Sequence, residues 1–150
     1  MSTAKNLHNL YETDAYLWYT ENARLLKEKK LDEIDIDNIV EELESMGRHE
    51  QDRIQSALTI LFLHLLKLKY QSDYEDGPRS WKLSVIEHRD RAIDYLETNP
   101  SLKGHMTDIV ARAYKYARTK AAKETGLSLK TFPEKMPFTL KQALTINWLP

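Results

Sequence analysis

Read for the alternation of apolar and polar positions, the chain shows helical spacing almost throughout. Laid out at 100° per residue, Tyr11, Ala15, Trp18, Tyr19, Asn22, Leu25 and Leu26 share one face of a helix that Thr13 or Asp14 can cap and that runs to about Lys29. A second helix is predicted from Asn38, capped by Asp37, to Tyr70, with Leu43, Gly47, Glu50, Ile54, Leu58, Leu61, Leu65 and Leu68 as its inward stripe. Gly47 on that stripe marks either a break into two helices or a point where another helix comes close; the continuous helix with a tight contact is the preferred reading.

The turn-forming stretch from Gln71 to Pro78 leads to a third helix over Arg79 to Glu97, with Trp81, Val85, Ile86, Arg89, Ala92, Ile93 and Leu96 inward. Pro100 stops it and Ser101 caps a fourth helix that ends near Thr125 at Gly126. Ala113, Ala117 and Ala121, with Leu102, Met106, Ile109 and Val110, form the inner face of that helix. In the tail, Thr139 and Gln142 are spaced as a capping box, and Phe132, Phe138, Leu144 and Trp148 are expected to press the segment 127–150 onto the helices. Short connections between long helices force antiparallel neighbours. The expected architecture is therefore all-α, an up-down four-helix bundle with a short C-terminal helical tail packed on it, forming one domain over 1–150.

Composition agrees: 21 Leu against 3 Val, and neither a proline nor a glycine other than Gly47 before Gly77, disfavour a strand-and-turn architecture. The apolar run Leu58 to Leu68 is interrupted by Thr59, His64 and Lys67, well short of a membrane span, and the first residues lack a secretion signal, so a cytoplasmic location is expected. With no cysteine, disulfides, thiolate chemistry and Cys-ligated metals are excluded.

The segments Leu10 to Asp14 with Tyr16 and Trp18, Glu41-Glu-Leu-Glu-Ser-Met-Gly-Arg48, His64-Leu-Leu-Lys67 with Tyr70-Gln71, Ser80-Trp81, Arg89, Pro100-Ser-Leu102, Phe132-Pro133 and Pro137-Phe-Thr139 resemble the bacterial family called domain of unknown function 29. The likeness extends from about Leu7 to Pro150. It implies a small, all-helical cytoplasmic protein and transfers no catalytic residue.

Three polar residues fall at the centres of apolar faces: Asn22, Glu50 and Arg89. An unpaired charge cannot be buried cheaply, so each needs a partner, solvent or a ligand. Antiparallel register places Arg89 level with Ile60 and separates it from Glu50, which leaves Glu12, the Tyr11 hydroxyl and His64 as expected partners of Arg89. Two readings follow, a hydrogen-bonded network that fixes helix register, or a ligand pocket built from Arg89, His64, Glu12, Tyr11 and Glu50.

No Glu-x-x-His pair, Gly-x-Ser-x-Gly or Walker-type loop occurs, so neither a metal site nor a cofactor is expected and classical hydrolase and nucleotidase readings lose their supports. The net charge of −1 conceals two opposed stretches. Seven acids and no base lie between Asp32 and Gly47, whereas seven bases against Glu124 and Glu134 lie between Arg112 and Lys135. The balance disfavours a nucleic-acid partner. The leading expectation is a non-enzymatic helical protein acting through contact with a protein partner or a second copy; the alternative is a small-molecule-binding protein or enzyme around Arg89 and His64.

Overall fold

A computed structural model describes the backbone of residues 3–71 and 79–150, and the side chains of residues 6–71 and 79–150. All regular structure among the described residues is helical: α1 (Thr3–Thr13), α2 (Ala15–Lys27), α3 (Ile36–Tyr70), α4 (Arg79–Thr98), α5 (Met106–Thr125) and α6 (Leu140–Ala143), with 3-10 turns at Leu31–Glu33, Pro100–His105 and Leu129–Thr131. The expected turn chemistry at 72–78 lies outside the described residues. The chain divides into two compact units, Met1–Arg48 and His49–Pro150, and α3 runs through the division.

In the first unit, Asp14 caps α2 as its spacing predicts, accepting from Leu17 N at 3.1 Å. Lys29 closes the helix with φ of 58°, and Lys30 N donates to Leu25 O at 2.9 Å, the bonding of a Schellman end made without glycine. The core is Leu7, Trp18, Leu25 and Ile34, with Leu10, Tyr11 and Ile39 packed on it. The sequence reading starts its first helix at Thr13 or Asp14 and does not include α1, although Leu7, Leu10 and Tyr11 carry helical spacing.

The second unit holds the larger core. Ile54, Leu58, Leu61 and Leu65 of α3 and Val85 and Ala92 of α4 are sealed from solvent. So are Ile109, Ala113, Ala117 and Ala121 of α5, which bears out the alanine stripe. Each fully buried Leu or Ile contributes roughly 1.5–3 kcal/mol. The fourth helix begins later than its spacing suggests, since Pro100 to His105 winds as a 3-10 turn; Gly126 ends it with φ of 72°. Thr139 and Gln142 do form a capping box. Phe132 and Phe138 are buried, with ring centroids 5.8 Å from Tyr70 and Phe62 respectively. Lys67, also buried, reaches Glu124 at 2.9 Å and lies 4.5 Å over the ring of Trp81.

Gly47 lies within continuous α3, as preferred, but the tight contact expected of it is absent: a Cβ added there would meet nothing within 4 Å. Its role in the stripe fails for the same reason as that of Leu43, which is 64% exposed: no described part of the chain covers that end of the face.

Candidate functional site

The residues singled out from sequence are divided between the units, Tyr11 and Glu12 in the first and Glu50, His64 and Arg89 in the second. Arg89 is buried, and its partners differ from the expected ones. Nε donates to Ala143 O at 2.8 Å and Nη2 to Trp148 O at 2.6 Å, so the guanidinium satisfies carbonyls of a tail whose irregular backbone supplies few donors of its own. Burial lowers its pKa below the usual arginine value. Arg118 does likewise for Phe132 O at 2.7 Å, and Tyr114 for Pro133 O.

Glu50 is half-buried and binds Arg53 at 3.2 Å on its own helix rather than sitting at the centre of an apolar face. Glu12 is exposed. The Tyr11 hydroxyl donates to Glu42 at 2.8 Å, and Tyr19 donates to the other oxygen of that carboxylate at 2.7 Å. The bond to Glu42, with some loss of solvent, pushes the Tyr11 phenol up to about 12.

Asn22 is the clearest case of the network reading. It is buried, donates to Trp18 O at 2.8 Å and accepts from Asp35 N at 2.9 Å. Asp35, also buried, accepts from Trp18 Nε1 at 2.9 Å and from Asn38 at 2.7 Å, with His8 nearby at 3.7 Å. Burial alone would raise the Asp35 pKa, but the donors and the imidazole outweigh it and hold the carboxyl below its ordinary value.

His64 stands on α3 against Ser84 of α4, within one residue of the antiparallel register that placed Arg89 level with Ile60. Ser84 Oγ lies 3.3 Å from Nδ1 of both His64 and His88. This has the look of an activated nucleophile, yet the chemistry forbids it. His64 Nδ1 is 2.9 Å from Ile60 O and His88 Nδ1 is 2.8 Å from Ser84 O, and a carbonyl only accepts, so both nitrogens carry hydrogen and neither can take the Ser84 proton. Burial lowers the pKa of His64 and keeps it neutral. Among the described residues no group of three His, Asp or Glu is placed to hold a metal ion.

An apolar groove open to solvent lies in the first unit. Tyr19, Asn22, Ala23 and Leu26 of α2 and Ile39, Glu42, Leu43 and Met46 of α3 line a groove of about 220 Å3 floored by Trp18. Both walls use the same spacing of i, i+3, i+4 and i+7. Tyr19, Leu26, Leu43 and Met46 are exposed, Leu43 by 64% and Met46 by 62%. Tyr19, Leu26 and Leu43 carry an inward pattern in the sequence, so the groove is made of residues whose spacing asks for a cover that this unit does not provide. Helical spacing alone assigns Tyr19, Leu26 and Leu43 to the chain's own core.

Among curated proteins and among solved structures, nothing matches the chain. A family model described as Domain of unknown function DUF29 matches residues 10–149, which span both units, the groove and the tail. The chain belongs to the DUF29 family.

Proposed function

We propose that this is a bacterial, cytoplasmic, non-enzymatic protein that acts through protein–protein contact, and that the groove between α2 and α3 takes an amphipathic helix of its partner. The observation that carries this reading is the exposure of Tyr19, Leu26, Leu43 and Met46 around one groove. At about 220 Å3 the groove is smaller than sites for free metabolites, and its paired i, i+3, i+4, i+7 walls suit the anchors of a docked helix. Glu41, Glu42 and Glu44 follow one another on α3 with Leu43 among them, in a stretch without a base, so the partner helix is flanked by Lys or Arg.

The whole chain then works as one domain, with consecutive helices antiparallel within each unit. The short connections from Lys27 to Ile36 and from Thr98 to Met106 support that arrangement.

Selection of a displayed library of helical peptides on the full chain tests the proposal. Recovered sequences should carry apolar residues at helical spacing and basic flanks, and should be lost on a Leu43→Asp/Met46→Asp variant. Recovery of acidic helices, equal recovery on the variant, or no enrichment overturns it. A dimer in light scattering that the same pair dissociates would make a second copy the occupant instead.

A further inference from the structure

Within the second unit, α3 and α4 line a cleft of about 420 Å3. Its walls carry matching chemistry. α3 contributes His49, Arg53 and Ser56, and α4 contributes His88, Arg91 and Tyr95, so each presents an imidazole, a guanidinium and a hydroxyl about one turn apart. Ala57 and Ile60 supply apolar surface, and Asp52 is the one carboxylate in the lining.

The guanidiniums of Arg53 and Arg91, one from each wall, select an oxyanion that accepts two-pronged bonds. Arg53 is steadied by Glu50 at 3.2 Å and Arg91 by Glu87 at 2.6 Å, each through a single terminal nitrogen. These are exposed pairs three and four residues apart, which hold little energy and yield readily to a better acceptor. His88 is fixed in orientation by its Nδ1–H bond to Ser84 O, so Nε2 of the neutral ring accepts, which suits a ligand hydroxyl, and the anion is left to the guanidiniums. The same acids, with Asp52, counter the field that would gather a long polyanion, so recognition here depends on geometry at a small ligand. The volume lies in the range of small-molecule sites.

We infer that this cleft binds a small organic phosphate monoester, its phosphate bracketed by Arg53 and Arg91. Asp52 accepts from a hydroxyl of the ligand's organic part, and Ala57 and Ile60 contact its carbon skeleton. The site is independent of the groove in the first unit, and either can fail without the other.

Calorimetric titration of the full chain with glycerol phosphate, inorganic phosphate and glycerol tests the inference. The ester should saturate, inorganic phosphate should bind more weakly and glycerol should give no signal. Arg53→Gln and Arg91→Gln should each weaken the ester by about tenfold or more, while Arg48→Gln, an exposed arginine outside the cleft that binds Glu41, should not. All three side chains are exposed, and an unchanged circular dichroism spectrum confirms folding. No saturable binding, binding indifferent to both cleft variants, an equal loss in Arg48→Gln, or inorganic phosphate binding as tightly as the ester overturns it.

Discussion

Trp18 Nε1 donates to Asp35 Oδ2 at 2.9 Å, and both side chains are buried in the first unit. The bond ties α2 to the segment that opens α3, and Asn22 closes the circuit by bonding Trp18 O and Asp35 N. Trp18→Phe keeps most of the ring volume but deprives a buried carboxylate of a donor, with an expected cost of about 1–3 kcal/mol. Asn22→Leu should cost as much or more, because it orphans the Asp35 N–H. Urea unfolding followed by circular dichroism checks both.

His64 sets a pH dependence. Its pKa is lowered in the folded protein by burial, whereas the unfolded chain takes up a proton near the ordinary 6.5. Stability from this residue is therefore complete well above that pH and declines as the pH falls through it. The urea midpoint should fall with it, and His64→Gln, which cannot be protonated, should flatten the change.

Arg89 clasps the tail. Arg89→Met should leave Ala143 O and Trp148 O without their donor and cost about 2–4 kcal/mol, the range for losing charge-assisted bonds. Arg89→Lys should rescue only in part, since an ammonium lacks the planar fork that reaches both carbonyls. Amide hydrogen exchange should quicken over residues 139–148 before it quickens in α3.

Gly47 makes no close contact, so its place in a helix is only a cost. Gly47→Ala should stabilise the protein by about 0.5–1 kcal/mol, read as a higher urea midpoint.

Elements fixed by local chemistry were legible in the sequence: the Asp14 cap, Gly126, the Thr139–Gln142 box and the long continuous α3. Asn22 and Arg89 were legible as buried polar residues because periodicity alone places them inward. Their partners were not. Arg89 bonds backbone carbonyls of the tail 54 and 59 residues away, and main-chain acceptors leave no mark in side-chain patterns. The groove escaped for a related reason, since periodicity identifies an apolar face without saying whether the chain itself or another molecule covers it. Leu43 and Leu58 carry the same stripe on α3, yet one is exposed and the other sealed.

The first unit's groove is proposed to hold a partner helix with basic flanks. The most direct test is the affinity of a selected peptide for the wild-type chain and for the Leu43→Asp/Met46→Asp variant, measured by calorimetry. Burial of two apolar anchors is worth about 3–6 kcal/mol, so a loss of at least about 100-fold is expected, with the variant as stable as the wild type. Equal affinity for the two proteins would contradict it.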